Sequence, residues 1–130
     1  MNSNSLLRIF SLEYNSFTNS ISPHVRYISP DNVLKGLYGI LNCELVTCTE
    51  IEVNGKLFDV YSDDEALLKD KPAPNLYIDD DLILFGSVAF AKADKEGKLA
   101  GLSHEDVQLL WTFAQAQFPK LLHFLKTQRR

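Results

Sequence analysis

The stretch ELVTCTEIEV-NG-KLFDVY, residues 44–61, indicates the fold more clearly than any other part of the chain. Its first ten residues alternate in character, and they are rich in β-branched side chains, which favour strands. One face of this predicted strand carries Leu45, Thr47, Thr49, Ile51 and Val53. Asn54-Gly55 follows, and both residues accept the positive φ that a type I′ turn requires. The stretch therefore predicts a β-hairpin whose second strand is residues 56–61.

Further strands are predicted on either side of this hairpin. Leu6–Leu12 alternates with period two, and His24–Ile28 is long enough for a short strand. Leu82–Lys92 is almost continuously apolar, which is typical of a central strand. Gly86 within it indicates a bulge or a close approach of another group to the backbone. Lys71–Asn75 contains two prolines, so we expect this segment to be irregular.

Two helices are predicted from capping residues and apolar spacing. Ser29-Pro30 can begin the first helix, which we expect to end near Gly39–Asn42. Its apolar face would consist of Val33, Leu34, Leu37 and Leu41. Ser103 caps the second helix, and Pro119 is expected to interrupt it. The buried face of the second helix would consist of Val107, Leu110, Trp111, Ala114 and Phe118.

Together these elements predict an α+β fold, a mostly antiparallel sheet with two helices packed on one face. Ser62 and Glu65 form a capping box that predicts a single helical turn through Leu68, between the hairpin and the next strand. At 130 residues the chain is expected to form a single domain, residues 1–130. Within it, residues 114–130 would form a C-terminal helical extension.

The composition argues against several classes of protein. Hydrophobic residues make up 45% and charged residues 23%, a globular balance, and no apolar run approaches the roughly 20 residues that cross a bilayer. The net charge of −4 disfavours a general nucleic-acid binder, because phosphate contacts need a basic patch. Two cysteines without a recognisable secretory leader indicate a reducing compartment. We therefore expect a cytoplasmic protein.

Acidic residues are concentrated between Asp59 and Asp81. This segment contains eight acids and two lysines, which is a local net charge of −6. The candidate partner-binding residues are Asp63, Asp64, Glu65, Asp79, Asp80 and Asp81. A basic protein would be the natural partner of such a surface. The alternative is that the acids only form a solvated loop.

No pattern of catalytic or metal-ligating residues is readable in the sequence. His24, His104 and His123 are scattered, and the glycines are single, so neither a catalytic triad nor a phosphate-binding loop is indicated. Asp79–Asp81 would point to alternate sides of an extended segment, which does not suit a divalent cation. Cys48 is expected to be a small core residue. We therefore expect no catalytic residue, no metal and no cofactor.

Several short motifs follow one another in a distinctive order. They are a leucine-rich helix and strand at Val33–Val53, SDDEALL at 62–68, KPAPN at 71–75, DLILFG at 81–86, DKEG at 94–97 and LSHED at 102–106. In this order the chain resembles a domain-of-unknown-function family of short proteins encoded by phages, plasmids and other mobile elements, mostly of Gram-positive hosts. It departs from that family at Leu41-Asn42, where a glycine pair is expected. The resemblance implies a family-like region of about residues 29–113 and a phage or mobile-element origin, and it implies no catalytic residue.

These observations favour a non-enzymatic accessory protein that acts by binding. Since mobile-element proteins of this size often occupy a host protein, we expect a host partner, and inhibition of a host defence protein is the function that this origin suggests. In that case the chain would act in the host cell cytoplasm. The alternative is a protein that binds or sequesters a small nucleotide-derived signal. We expect no direct nucleic-acid or membrane partner, and self-association is left open.

The hairpin prediction can be tested at Gly55. Gly55→Val places a β-branched side chain at a position of positive φ, and we expect it to lower the free energy of unfolding by more than about 1 kcal/mol. Equilibrium urea unfolding measures this change. An unfolding curve that coincides with that of the parent would show that residue 55 is not in a type I′ turn.

Overall fold

A computed structural model describes residues 5–15, 17–18, 20–65, 74–79 and 82–127 of the chain. The strands are β1 (Leu7–Asn15), β2 (Ser20–Ile28), β3 (Val46–Val53), β4 (Lys56–Asp63), β5 (Pro74–Asp79), β6 (Leu82–Phe85), β7 (Val88–Ala93) and β8 (Leu99–Ala100). The helices are α1 (Val33–Leu41), between β2 and β3, and α2 (His104–Thr127), after β8.

The main sheet is antiparallel and has β7 at its centre. Its strand order is β2-β1-β7-β4-β3, and β8 pairs with the end of β7. β5 and β6 form a separate antiparallel pair. The turn between β3 and β4 has φ of 52° at Asn54 and 81° at Gly55, and it sets Val53 opposite Lys56. The predicted α+β class, antiparallel sheet, hairpin and C-terminal helix are all confirmed.

The two helices pack on opposite faces of the sheet. Phe10 of β1 belongs to the apolar cluster that contains Leu110 of α2, whereas Ile9 belongs to the cluster that contains Leu37 of α1. Neighbouring residues of a strand point to opposite faces, so each helix covers a different face. The prediction that both helices pack on one face is therefore wrong. The physical reason is that β1 and the whole stretch Val88–Ala91 are buried at successive positions, which requires cover on both sides.

Helix α1 begins later in the chain than predicted. Its N-cap is Asn32, whose side chain accepts a hydrogen bond from the backbone N–H of Lys35 at 3.4 Å. Ser29 instead accepts from the N–H of Asp31 in the preceding turn. Leu34, which was expected on the apolar face, is 53% exposed. The helix ends as predicted, with Asn42 in the left-handed conformation after Leu41.

Three predictions for residues 62–92 need correction. Ser62 lies inside β4, so it begins no helical turn, and Glu65 donates its backbone N–H to Asp63 rather than closing a capping box. The predicted strand Leu82–Lys92 is divided by Gly86, whose φ of 76° ends β6 before β7 begins. Of the segment predicted to be irregular, Pro74 and Asn75 belong to β5, and Lys71–Ala73 lie outside the described residues.

Helix α2 begins at the predicted cap but differs from the prediction along its length. It continues through Pro119 to Thr127 without the predicted interruption. Leu110 is fully buried, whereas Trp111 is 40% exposed. Consecutive helical residues point about 100° apart, so the neighbour of a fully buried position lies at the edge of the buried face or outside it. The side chain of Phe118 lies outside the described residues.

The carboxylate of Asp106 attaches α2 to the main sheet. It is fully buried, and it accepts hydrogen bonds from Lys92 Nζ at 2.7 Å, Lys56 Nζ at 3.2 Å and the backbone N–H of Ser103 at 2.9 Å. Ser103 Oγ in turn accepts from the N–H of Asp106, which completes a reciprocal cap. Burial alone would raise the pKa of Asp106, but the two ammonium groups and Ser103 outweigh it and hold that pKa well below its usual range.

This depressed pKa predicts an acid-sensitive contribution to stability. A carboxyl whose pKa is lowered by folding stabilises the fold above its unfolded pKa, about 3.9, and the contribution is lost as the pH falls below that value. We expect Asp106→Asn to lower the free energy of unfolding by about 2 kcal/mol at pH 7, and by less at pH 3. Urea unfolding at both pH values measures the difference.

Glu105→Gln is the matched control, because Glu105 is an exposed acid in the same helical turn. This substitution should lower the free energy of unfolding by only a few tenths of a kcal/mol at pH 7. If Asp106→Asn cost no more than this control, the buried contact would not hold the helix.

Candidate functional site

A row of acidic side chains lies on the α1 side of the β3–β4 hairpin. Glu50 of β3 stands directly opposite Asp59 of β4, and Glu52 stands opposite Leu57. The intervening residues face the other way, into the apolar cluster beneath α2; they are Ile51, Val53, Phe58 and Val60. Since side chains alternate along a strand, the acids project from the opposite face.

A polar recess continues this row at the C-terminal end of α1. Its volume is about 490 Å³, and it is lined by Tyr38, Asn42, Cys43, Glu44, Asp63 and Glu65. The last turn of α1 contains no basic residue, so the negative end of the helix dipole adds to the carboxylates here. We use the term acidic face for Glu50, Glu52 and Asp59 together with the recess acids Glu44, Asp63 and Glu65. From Asp63 to Leu57 it extends about 20 Å at 3.4 Å per residue.

The acids of the hairpin are not compensated by nearby cations. Within the part of the chain that the structure describes, Glu50, Glu52 and Asp59 form no ion pair. Like charges directly opposite each other across two antiparallel strands are destabilising. The nearest lysine in sequence, Lys56, is held by Asp106 on the α2 side of the sheet. The repulsion between Glu50 and Asp59 therefore lowers the stability of the fold at this position.

Cys48 lies next in this row, opposite Tyr61. It is exposed, so the prediction of a small core residue is wrong: it lies in an edge strand, on the face that α1 leaves open. Partial burial and the negative charges of Asp59 and Glu50 raise the pKa of the Cys48 thiol. Burial, the neighbouring Cys48 and the negative charge of Asp59 raise the pKa of Tyr61 to about 12. At neutral pH the thiol is therefore protonated, which disfavours nucleophilic chemistry at Cys48.

The predicted acidic residues separate into two groups. Asp63 and Glu65 line the recess, and Asp64 is exposed beside them with its N–H donated to Leu45 O at 2.9 Å. Asp63 is almost buried, and its Oδ1 accepts from the N–H of Glu65 at 2.9 Å. Asp79 ends β5, but its side chain lies outside the described residues, as do Asp80 and Asp81 entirely. Whether those three join the first group stays a prediction.

The acids on the hairpin itself are not among the residues that the sequence predicts for partner binding. Glu44, Glu50 and Glu52 precede the acidic segment, and Asp59 is its first acid but lies outside the candidate set. The signal was present, because a two-residue turn places residues at equal distances from it opposite each other. Applied to Asn54-Gly55, this rule puts Glu50 against Asp59.

Two further observations limit the chemistry of this surface. Among the residues that can be described, no three or more His, Cys, Asp or Glu side chains are grouped so that they could hold a metal ion. In the same part of the chain, neither helix is both long and apolar enough to cross a membrane.

Comparison of the chain with models of protein families, with curated proteins and with solved structures gives no match.

The like-charge pair predicts that removing one acid stabilises the protein. Glu50→Gln should raise the free energy of unfolding by a few tenths of a kcal/mol at low ionic strength, because it removes the repulsion from Asp59. High salt should reduce the difference, since it screens exposed charges. Urea unfolding at low and high salt measures both effects. Glu96→Gln, which removes an acid beside Lys98, should not stabilise, and an equal gain from it would contradict the account.

Proposed function

We infer that this chain is a non-enzymatic accessory protein that acts by binding a basic protein through its acidic face. The observation that carries this proposal is the uncompensated pair Glu50–Asp59 on an exposed sheet surface. A fold can keep a destabilising surface feature when that feature serves function. Docking of lysine or arginine side chains against these acids would remove the repulsion.

The position of the acids also suits recognition. β3 is an end strand of the main sheet, so a partner can approach the hairpin from the side as well as from the face. A row of like charge attracts a partner of opposite charge before contact, which raises the association rate. Cys48 and Tyr61, between the hairpin acids and the recess, add groups of intermediate polarity within the same surface.

The resemblance of residues 29–113 to proteins of phages and other mobile elements supports the biological part of the proposal. A protein of such origin that binds without catalysis would act on a protein of its host, and a defence protein is the partner we propose. This step rests on the resemblance and on no feature of the acidic face itself.

A charge-matched pair of variants tests the proposal. Glu50→Gln/Glu52→Gln/Asp59→Asn neutralises three acids of the acidic face, and Asp31→Asn/Glu96→Gln/Glu105→Gln neutralises three exposed acids elsewhere. The parent and both variants would be immobilised and exposed to a bacterial lysate, and the retained proteins quantified by mass spectrometry. We expect a basic protein that the parent and the control variant retain and the first variant loses.

The association rate of that protein then provides the quantitative test. It should fall with rising salt for the parent, and it should be slower and less salt-dependent for the first variant, because exposed charges are screened beyond about 8 Å at physiological ionic strength. If the two variants lost the same proteins to the same extent, only the net charge would matter, and the acidic face would not be a binding surface.

A further inference from the structure

A groove lies at the opposite edge of the sheet, between β2 and α1. Its volume is about 660 Å³, within the range of ligand-binding clefts. The charged residues that line it are Glu13 of β1, Arg26 of β2 and Lys35 of α1; Tyr27, Asn32, Gly36 and Gly39 also line it. β2 is the other end strand of the main sheet, and among the described residues it pairs only with β1. The groove thus runs beside a free strand edge.

The two glycines of the groove differ in what they do for the fold. A Cβ at Gly36 would lie 2.7 Å from the side chain of Ile28, so Gly36 allows α1 to pack closely against β2. A Cβ at Gly39 would have nothing within 4 Å. Glycine weakens a helix interior relative to alanine, and it is favoured where another group must come close to the backbone. Within the described part of the chain the space beside Gly39 is open, so a binding partner would explain the glycine at this position.

The free edge of β2 is apolar on its other face. Val25 is 42% exposed and Tyr27 is 53% exposed. They stand opposite Phe10 and Arg8 of β1, on the α2 side of the sheet. Pro23 in the same strand lacks an N–H donor, so backbone pairing at the free edge would be confined to residues 24–28. That portion of the strand borders the groove through Arg26 and Tyr27.

The charged residues that line the groove, Glu13, Arg26 and Lys35, give it a net charge of +1. Arg26 donates through Nε and Nη2 to Glu13 at 2.8 and 2.7 Å, which leaves its Nη1 for another acceptor. Lys35 forms no ion pair with the described part of the chain. β2 contains no acid, and the first turn of α1 contains none either, so the positive end of the helix dipole is not offset there.

We propose that an extended segment of a partner protein adds as a strand to residues 24–28 of β2, with acidic side chains at alternate positions in the α1–β2 groove. The side chains between them are apolar and continue the row of Val25 and Tyr27, because an added strand presents alternate residues to the two faces. Charge selects this occupant over the β2 strand of a second copy. Such a copy would bring a strand without acids, in which Arg26 is already paired with its own Glu13, and so would offer Lys35 no carboxylate.

The test uses a defined probe, a capped seven-residue peptide in which Glu alternates with Val, titrated into the isotope-labelled full chain. We expect saturable shifts of the backbone amide signals of residues 24–28, Gly36 and Gly39. A peptide in which Lys alternates with Val should bind at least tenfold more weakly, and so should one with the Glu and Val residues in separate blocks.

Gly39→Ala separates binding from folding. It should raise the urea midpoint of unfolding, because alanine favours the helix. It should also lower the affinity for the Glu–Val peptide at least tenfold, because the added methyl group fills the space beside the backbone. Lys35→Gln should weaken the same peptide and lessen the salt dependence of binding. Leu34→Ala, at an exposed position of α1 outside the groove, should leave peptide affinity unchanged within twofold.

Four results would overturn the proposal. One is unchanged affinity in Gly39→Ala, and another is shifts centred on β3 instead of β2. A third is that inorganic pyrophosphate, and not the peptide, shifts the groove amides, which would make the groove a small-anion site. The last is that the chain self-associates in sedimentation, that Gly39→Ala abolishes this, and that the peptide has no effect, in which case the occupant is a second copy. The results for Gly39→Ala, for pyrophosphate and for self-association do not bear on the acidic face, whereas shifts centred on β3 would count against both proposals; the two proposals can therefore fail separately.

Discussion

The buried carboxylate of Asp106 is the contact on which the arrangement of both sheet faces depends. It holds the first turn of α2 against Lys56, the first residue of β4 after the hairpin turn, and against Lys92 of the central strand. A buried carboxylate without these partners would be strongly destabilising, so the helix cannot shift without leaving a charge unpaired. The same contact fixes both lysines on the α2 side. The α1 side of the hairpin is consequently left with acids and no nearby lysine from β4 or β7.

The two ends of the sheet consequently differ in charge. Strand β3 carries Glu50 and Glu52, whereas β2 carries Arg26 and His24 and no acid of its own, and Arg26 is paired with Glu13 of β1. An unpaired strand edge invites pairing with other chains, and proteins limit this with charge and proline. Pro23 shortens the available edge of β2, and the like-charged acids of β3 discourage two copies from meeting through that strand. Under the two proposals each edge would accept a partner of one charge, which would give selectivity without a deep pocket.

Local patterns in the sequence were sufficient for features that depend on few residues. The Asn54-Gly55 turn follows from backbone preferences, the cap at Ser103 follows from a side-chain hydrogen bond within one helical turn, and the end of α1 near Asn42 follows from where its apolar spacing stops. The placement of the helices on opposite faces could have been read from the unbroken apolar run Val88–Ala91, which requires cover on both sides. The exposure of Trp111 could not have been predicted in this way. Helical spacing places Trp111 next to a buried residue, but it does not show how far around the helix the contact between α2 and the sheet extends. Nor could the Asp106 cluster have been predicted, since Lys56 and Lys92 are far from it in sequence and meet it only through the sheet.

Amide hydrogen exchange on the complex with the captured basic partner can locate the binding surface, because it reports every backbone segment of the unmodified chain. If the acidic face is that surface, exchange should slow in residues 46–63, on the β3–β4 hairpin, and should stay unchanged in β1 and β7, since these strands are already buried between the helices. Protection confined to the exposed side of α2 around Trp111, with the hairpin exchanging as in the free protein, would contradict the claim that the acidic face is the binding surface.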